Sequence, residues 1–273
     1  MSGDPKRTGS FKKVTSLANP LVKNIRALHQ KKHRDQTSLF IAEGQKLVRD
    51  AVETGWPVHM LAYAAGLAEE PSVGALAART KAAGGTVLEV SASVLEKIAR
   101  RENPQNVIGV FRQRFAPEAS IGGAGVWVAL DRVRDPGNLG TVIRTADAAG
   151  ISGVALVGAC CDPFGLESVR ATMGSIFHVP LARTEENSLI ALAKRHGARL
   201  VGTHLGAPVD FREADYSRPL VLVMGNEQQG LTETLAAACD QLVRIPMPGR
   251  ADSLNLAVSA GLMIYEALRG DFG

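Results

Sequence analysis

Two short apolar runs near the C-terminus constrain the fold of this chain most. Leu220–Val223 breaks at a polar loop with the sequence MGNE, and Leu242–Ile245 breaks in the same manner at PMPG. Each break leads into a helical pattern. Strands that alternate with helices in this way predict a parallel sheet flanked by helices. Loops at the carboxyl ends of such strands are where α/β folds bind ligands, so we expect residues 219–270 to hold a small cofactor.

A third strand and loop of the same kind lie upstream. Val126–Leu130 is apolar throughout, as expected for a strand buried on both faces, and it ends at Asp131. The sequence DPGN that follows is turn chemistry, and Asn138 is suited to cap the next helix. Arg144 lies on the polar side of that helix and can reach back toward Asn138, because helical side chains lean toward the N-terminus. The buried stripe predicted for the helix is Leu139, Val142, Ile143 and Ala146.

Composition divides the chain into segments. The stretch PEASIGGAG at residues 117–125 is rich in glycine and separates two periodic blocks, so we predict a linker there. Residues 1–13 are basic and without periodicity, which indicates a flexible tail. Residues 14–116 form a small α/β domain on this interpretation, and residues 126–273 form the second domain.

Positive charge is concentrated at the start of the chain. Residues 1–50 hold eleven basic and four acidic side chains, a net charge of +7, whereas the whole chain carries only +4. This asymmetry suggests a surface for a polyanion, although a solvated helix face with a basic tail would give the same count. Few aromatic residues accompany the charge, so stacking on bases is not indicated. The candidate RNA-binding residues are Lys23, Arg26, Lys31, Lys32 and Arg34.

Several classes of protein lose support from the sequence. It contains no phosphate loop of the GxxxxGK[ST] type, no GxGxxG between a strand and a helix, and no GxSxG elbow. His29 and His33 are four residues apart, but in a lysine-rich helical segment without an acidic partner, so we predict no metal site. The three cysteines form no CxxC pair, and no apolar run could span a bilayer. We expect a cytoplasmic protein that does not enter membranes.

Three segments together resemble a known family. DPGNLGTVIRTADAAG, LVMGNEQQGL and IPMPGRADSLNLAVSA closely resemble the ordered motifs of the SpoU/TrmH family of RNA 2′-O-methyltransferases, which belongs to the SPOUT superfamily. The resemblance implies a C-terminal α/β domain with a parallel sheet and a trefoil knot, which binds S-adenosyl-L-methionine, and a homodimer formed through that domain. The segment VTSLANPLVKNIRALHQKKHRDQTSLFIAEG is similar to the start of a ribosomal-protein-like RNA-binding domain found ahead of the knot.

The resemblance also implies roles for single residues. Arg144 matches the family's arginine that acts on the ribose hydroxyl. A guanidinium is effectively always protonated, so we expect it to position the hydroxyl and stabilise charge. Asn138, Glu227, Ser253 and Asn255 match the other catalytic positions, with Glu227 and Asn255 expected to orient Arg144 or Asn138. Plain structural roles are the alternatives, namely a surface arginine for Arg144 and helix caps for Asn138 and Ser253.

Cofactor and dimer positions follow from the same resemblance. Gly225, Ile245, Met247 and Leu254 match positions that hold S-adenosyl-L-methionine through backbone groups and apolar contact. Part of the last helix is expected to form the dimer interface. The predicted activity is methylation of a ribose 2′-hydroxyl in structured RNA, with ribosomal RNA, 23S in particular, favoured over tRNA. A catalytically silent RNA-binding protein on the same scaffold is the alternative from another class.

Overall fold

A computed structural model describes residues 9–271, and the chain forms two compact units. The first comprises the chain up to Gln113 together with Phe164–Phe177, and the second comprises Arg114–Pro163 and the chain from His178 onward. Up to Gln113 the elements are β1 (Ser10–Val14), α1 (Pro20–Ala27), α2 (Lys31–Thr37), β2 (Leu39–Glu43), α3 (Gln45–Glu53), β3 (Val58–Ala64), α4 (Pro71–Ala82), β4 (Thr86–Val90), α5 (Ala92–Ala99) and β5 (Val107–Arg112). Thereafter they are β6 (Val126–Asp131), α6 (Pro136–Ala149), β7 (Gly153–Val157), α7 (Leu166–Ala171), β8 (Leu181–Thr184), α8 (Glu186–His196), β9 (Arg199–Thr203), β10 (Val209–Asp210), β11 (Leu220–Met224), α9 (Glu233–Ala238), β12 (Gln241–Arg244) and α10 (Leu256–Ala267).

The first unit is built on a mixed five-stranded sheet in the order β1-β4-β3-β5-β2. Strands β1, β4 and β3 are parallel, whereas β5 runs antiparallel to both β3 and β2. Helix α1 begins at Pro20 because the side chain of Asn19 accepts a hydrogen bond from the backbone N–H of Leu21 at 2.9 Å. Its buried residues Val22 and Ile25 pack into the core together with α5. Burial of this apolar face fixes the two helices side by side.

Two predictions about the N-terminal segment are wrong. Residues 10–13, predicted as part of a flexible tail, belong to the edge strand Ser10–Val14, which pairs with Thr86–Val90, while residues 1–8 lie outside the described part of the chain. Only Val14 is buried in this strand, so the sequence shows no alternation, and the partner is distant along the chain. His29 and His33 do not share a helix either, because α1 ends at Ala27 and α2 begins at Lys31.

An aromatic cluster in the first unit includes side chains from the segment 164–177. Phe164 lies 4.7 Å from Phe40 between ring centroids, and Phe177 lies 5.1 Å from Phe111 and 5.2 Å from Trp56. The indole N–H of Trp56 donates to the carbonyl of Phe177 at 3.0 Å. The segment therefore belongs to the core of the first unit, although the sequence predicts a second domain that runs continuously from 126 to 273.

The same segment supplies a partner for a buried carboxylate. The side chain of Glu43 is only 2% exposed, and its oxygens accept hydrogen bonds from the Arg170 guanidinium and from the backbone N–H of Gln105. Arg101 lies at 3.8 Å. A charged group can be buried at acceptable cost only when it is paired in this way.

Replacing Arg170 by methionine should therefore destabilise the first unit by about 1–3 kcal/mol, because buried Glu43 loses its principal partner and keeps only the N–H of Gln105 and the more distant Arg101. Urea denaturation in a Trp127→Phe background, where Trp56 is the remaining tryptophan, measures this loss. The double variant Glu43→Gln/Arg170→Met should lose less than Arg170→Met alone. Equal losses of stability in the single and double variants would show that the ion pair between Glu43 and Arg170 does not stabilise the attachment of residues 164–177 to the sheet.

The second unit contains a parallel seven-stranded sheet in the order β10-β12-β9-β11-β6-β7-β8, which confirms the predicted sheet type. All residues of β6, β7 and β11 are buried, as expected for strands covered on both faces. Because the strands are parallel, the segments that follow β12, β9, β11 and β6 leave the same edge of the sheet side by side. This edge positions the candidate site. The trefoil knot stays a prediction.

The range predicted as a linker is part of the second unit. Residues 118–120 form a short 3-10 helix, and the following Ile121 is fully buried against core residues such as Trp127 and Val221. The unit boundary falls earlier, after Gln113. Within residues 9–271, no helix has the combination of length and apolar character that a membrane crossing requires.

Candidate functional site

A cavity of about 610 Å³ lies at the carboxyl edge of the second sheet. The ends of β9, β11 and β12 and the loops after β11 and β12 form its walls. Gly225, Ile245, Met247 and Leu254, the four predicted cofactor positions, all line it. Asn138, Glu227, Ser253 and Asn255 line it as well. The three sequence motifs therefore meet at one cavity.

Side-chain hydrogen bonds connect the three motifs across this cavity. The amide nitrogen of Asn255 donates to the amide oxygen of Asn138 at 2.9 Å, and the amide nitrogen of Asn138 donates to Oε1 of Glu227 at 3.3 Å. Glu227 also accepts from the backbone N–H groups of Arg134 and Asp135, at 3.4 and 3.3 Å. We call Glu227, Asn138 and Asn255 the amide relay.

The start of α10 sets the direction of the hydrogen bonds in the amide relay. Oδ1 of Asn255 accepts from the backbone N–H groups of Ala257 and Val258, at 2.9 and 3.3 Å, so the side chain caps the helix. The amide nitrogen of Asn255 must then face Asn138, which in turn must present its own nitrogen to the carboxylate of Glu227. The helix terminus thus orients both amides.

Neither Asn138 nor Ser253 has the helix-capping role that was considered for it. Helix α6 begins at Pro136, and its cap is Asp135, whose Oδ1 accepts from the backbone N–H of Asn138 at 2.6 Å. Proline favours the first helical position, which makes the preceding residue the cap. Asn138 is therefore in the first turn, with its side chain available to the amide relay. In α10 the cap is Asn255 rather than Ser253.

The loop after β11 is held by Asn226 and Arg132. Asn226 is buried; its Oδ1 accepts from the backbone N–H groups of Gln228 and Gln229, and its Nδ2 donates to the carbonyl of Arg132 at 2.8 Å. Arg132 donates twice to Asp131 at 2.8 Å and also to Gln229 and the carbonyl of Gly230. These contacts stabilise a left-handed backbone at Arg132, with φ of 48°. The hydrogen bond with buried Asp131 raises the pKa of Arg132.

Gly225 is required by the close approach of the loop to itself. A Cβ atom at Gly225 would lie 2.4 Å from the carbonyl carbon of Gly230 and 2.5 Å from the nitrogen of Leu231. Both are backbone atoms, so Gly225→Ala must displace the loop. We expect cofactor affinity to fall by more than about tenfold, since overpacking of this kind costs about 1–3 kcal/mol.

Calorimetric titration with S-adenosyl-L-methionine tests this expectation. Gly249→Ala is the matched control, because it makes the same chemical change in the loop after β12, where a Cβ atom would meet nothing within 4 Å. Gly249→Ala should bind the cofactor like the wild type. If both variants bind normally, the loop after β11 does not form the cofactor site.

Arg144 does not join the amide relay. Its side chain is exposed, it does not line the cavity, and within residues 9–271 it makes no hydrogen bond or ion pair. It lies six residues after Asn138, which turns it about 120° away around α6. Ser253 lines the cavity without a side-chain hydrogen bond to any described residue.

The predicted RNA-binding residues belong to the first unit and differ in their surroundings. Lys23 and Arg26 are exposed and line a cleft of about 600 Å³. Lys32 is exposed outside that cleft, and Lys31 forms an ion pair with Asp35 at 2.6 Å. Arg34 is wrongly predicted, because it is buried and its guanidinium donates to the carbonyl of Leu28 at 2.7 Å. The guanidinium of Arg34 therefore stabilises the connection between α1 and α2.

Sequence reasoning missed the wall of the cavity that follows β9. Thr203, His204 and Leu205 line the cavity, and the side chain of Leu205 is 67% exposed at its mouth. The sequence carries a signal for this wall, because these residues end an apolar strand and precede a glycine, as the residues at the ends of β11 and β12 do.

Two cysteines near the site, Cys160 and Cys161, are not reactive thiolates. Burial raises the pKa of Cys160 to about 11 and that of Cys161 to about 12. Both are therefore thiols at neutral pH rather than nucleophilic thiolates. Among residues 9–271, no three His, Cys, Asp or Glu side chains are grouped to hold a metal ion.

Comparison with protein families gives two matches, one in each half of the chain. Residues 125–265 match the SpoU rRNA Methylase family. Residues 19–109 match the MRM3-like substrate binding domain.

Three similar proteins cover nearly the whole chain. The crystal structure of AdoMet-bound rRNA methyltransferase from Sinorhizobium meliloti is 55% identical, with a TM-score of 0.90, and covers 95% of this chain and 98% of that one. The 23S rRNA (guanosine(2553)-2′-O)-methyltransferase RlmP of Bacillus subtilis (strain 168) is 32% identical over 95% of this chain and 100% of its own length. The 23S rRNA (uridine(2479)-2′-O)-methyltransferase of Streptomyces viridochromogenes is 30% identical over 96% of this chain and 94% of its own length.

Proposed function

Because the chain belongs to the SpoU rRNA Methylase family, we propose that it transfers a methyl group from S-adenosyl-L-methionine to a ribose 2′-hydroxyl of 23S ribosomal RNA. The amide relay carries this proposal. It joins all three family motifs by hydrogen bonds around one cavity, through residues that the family resemblance assigns to catalysis. A structural scaffold alone would not need two amides and a carboxylate aligned at the cavity wall.

The residues of the cavity fit this cofactor. A volume of about 610 Å³ is within the range of small-molecule sites. Ile245, Met247 and Leu254 offer apolar surface for an adenine ring, and the loops after β11 and β12 add backbone donors and acceptors. The bound cofactor supplies an activated methyl group. The protein must then hold a weak nucleophile in line with it and exclude water.

The amide relay and Arg144 have separate roles in placing the ribose hydroxyl. Glu227 and Asn255 hold Asn138 in one orientation, so its amide is available as a fixed hydrogen-bonding group at the cavity. Arg144 is assigned to the 2′-hydroxyl and adjacent phosphate, where a permanent positive charge positions the nucleophile and stabilises the alkoxide character that develops on it. A guanidinium cannot accept the proton. The carboxylates that line the cavity are those of Glu227 and Asp252.

The proposal includes a homodimer formed through the second unit. Val258, Leu262 and Tyr265 are 52, 40 and 48% exposed and lie on one face of α10, at helical spacing. Large apolar side chains grouped in this way favour a buried interface. Helix α10 packs on α6, which carries Arg144. Arg144 is therefore carried by a helix next to this face, and we assign it to the cavity of the partner subunit.

The RNA substrate is proposed from relatives. RlmP acts on a guanosine of 23S rRNA and the Streptomyces viridochromogenes enzyme acts on a uridine. Both names specify 23S rRNA, which favours it over tRNA. Residues 14–116 are proposed to bind the RNA, with Lys23, Arg26, Lys31 and Lys32 contributing charge. An RNA substrate and three free cysteines support a reducing, cytoplasmic setting.

Methyl transfer from radiolabelled S-adenosyl-L-methionine to an unmethylated 23S rRNA transcript tests the activity, and alkaline hydrolysis followed by mapping of protected bonds tests the ribose position. We expect label in one 2′-O-methyl nucleotide of 23S rRNA and none in a tRNA pool. Label in tRNA would redirect the proposal to tRNA. Binding of RNA without measurable cofactor affinity would replace it with a silent RNA-binding protein.

A further inference from the structure

We infer that the first unit holds RNA in a basic cleft between α1 and the C-terminal end of α5, and that residues 97–101 supply three of its five basic side chains. This inference rests on the proposed function for the identity of the partner. It extends the contact to residues 97–101, which lie outside the basic N-terminal segment 1–50. We call this site the α1–α5 cleft.

The cleft is a concave feature of about 600 Å³. One wall is the exposed face of α1 and the connection after it, and the other is the last turn of α5 and the residues that follow. The buried faces of the same helices pack into one core through Val22, Ile25 and Ile98, so the spacing of the walls is fixed. The lining residues are Lys23, Arg26, Ala27, His29, Gln30, Glu96, Lys97, Arg100, Arg101 and Glu102.

Cations outnumber anions in this lining. Five basic side chains face two carboxylates, those of Glu96 and Glu102. Within residues 9–271, the side chains of Lys23, Arg26, Lys97 and Arg100 make no hydrogen bond or ion pair. Arg101 alone contacts an acid, Glu43, at 3.8 Å. Unpaired cations grouped on a concave surface attract a polyanion more strongly than a flat, paired surface does.

The backbone at the end of α5 contributes to this arrangement. Arg100 has a left-handed backbone, with φ of 57°, and terminates the helix through a hydrogen bond from its N–H to the carbonyl of Glu96. A glycine or asparagine is favoured at such a position. An arginine there accepts a conformational penalty and places its charge at the edge of the cleft.

His29 lies at the base of the cleft as a neutral group. Its Nε2 is 2.6 Å from the carbonyl oxygen of Ile98, which can only accept, so Nε2 carries the hydrogen and bridges the two walls. Burial, followed by the charges of Arg100, Arg170 and Arg34, lowers the pKa of His29. The positive charge of the cleft therefore comes from lysine and arginine and persists across neutral pH.

RNA is the partner that this chemistry fits. Lysine and arginine from two helices can contact successive phosphates, and no Phe, Tyr or Trp side chain lines the cleft to stack on a base. The contact is therefore with the backbone of a structured region and independent of its sequence. It positions the substrate, while the cavity of the second unit acts on the ribose.

Filter binding with an in vitro transcript of 23S rRNA at several salt concentrations tests the inference. The variant Lys97→Gln/Arg100→Asn removes two charges and keeps a residue that tolerates the left-handed position. The matched control, Lys12→Gln/Lys81→Gln, removes two exposed charges from the same unit outside the cleft. We expect the cleft variant to bind RNA about tenfold more weakly, with the slope of log K against log salt reduced by roughly 1–2, and the control to resemble the wild type.

The outcome is separable from the proposed activity. Circular dichroism and S-adenosyl-L-methionine titration check that the cleft variant is folded with an intact second unit. Equal RNA affinity and equal salt slope in the two variants would overturn the assignment of RNA binding to the α1–α5 cleft. An absence of methyl transfer by the wild-type protein, with the difference in RNA binding preserved, would overturn the proposed activity and leave the cleft standing.

Discussion

Replacing Arg144 by alanine is expected to lower kcat for methyl transfer by about 10²–10³-fold, the usual effect of removing one charge-stabilising group from a transition state. The dissociation constant for S-adenosyl-L-methionine should not change, because Arg144 does not line the cavity of its own chain and is assigned to the ribose hydroxyl rather than to the cofactor. Stability should change little, since the side chain is exposed and makes no hydrogen bond or ion pair within the described residues of its own chain. Single-turnover methylation, calorimetry and thermal unfolding measure the three quantities. Full activity in this variant would leave Arg144 as a surface arginine.

Subunit mixing tests where Arg144 acts. Arg144→Ala and Asn255→Ala protomers should each be inactive as homodimers. If Arg144 serves the cavity of the partner subunit, a mixed dimer contains one complete site, and an equal mixture recovers roughly a quarter of the wild-type activity. If Arg144 serves its own cavity, both sites of every mixed dimer are defective and no activity returns. The second result would contradict the assignment in trans.

Replacing Asn255 by serine should separate the two tasks of this residue. Serine is as good a helix cap as asparagine, so the start of α10 should keep its stability. It has no amide nitrogen, however, and cannot fix the orientation of Asn138 across 2.9 Å. We expect kcat to fall by about 100-fold, because a displacement of about 1 Å at a reacting centre can have that effect.

Asn255→Ala is the companion variant, since it removes the cap as well as the donor. It should lose the same catalytic factor and in addition about 1 kcal/mol of stability. Thermal unfolding and methyl-transfer kinetics on the same preparations give both values. Retention of activity in the serine variant, with a loss of stability in the alanine variant, would reduce Asn255 to a structural cap and remove it from the amide relay.

Most of the regular elements could be predicted because their signals are local. The stripe of Leu139, Val142, Ile143 and Ala146 is buried as its helical spacing indicates. Thr86–Val90 is a strand of mostly β-branched and apolar residues, the composition typical of strands. The apolar runs that end at Asp131 and Met224 are adjacent parallel strands. In each case the residues that carry the pattern are also those that pack.

The errors arise where a distant partner or a competing residue decides the structure. Strand β1 depends on β4, which lies 76 residues further along, and three of its five side chains are exposed. At α6 and α10, two residues of capping type lie close together, and composition does not choose between them. For α6, Pro136 distinguishes the two candidates, because proline in the first turn makes the preceding Asp135 the cap.

The location of the candidate site could be predicted from the sequence, but the hydrogen bonds that connect its residues could be predicted only in part. Parallel strands bring their carboxyl ends together, which is why the loops after β11 and β12 could be assigned to one site. The hydrogen bond between Asn138 and Asn255 spans 117 positions and follows only from the packing of α6 against α10. Local sequence carries no information about such a bond.

The segment 164–177 has a consequence for anyone who wishes to divide this protein. A fragment ending at Gln113 would lack Phe164 and Phe177, and so would leave Phe40, Trp56 and Phe111 without the rings that cover them. A fragment beginning at Arg114 would carry those two phenylalanines without Phe40, Trp56 and Phe111. Division of the chain between Gln113 and Arg114 should therefore yield two fragments that expose aromatic side chains and tend to aggregate. A circularly permuted or bipartite design, in which residues 164–177 are supplied to the first fragment as a tethered peptide, is the rational way to obtain an isolated RNA-binding module.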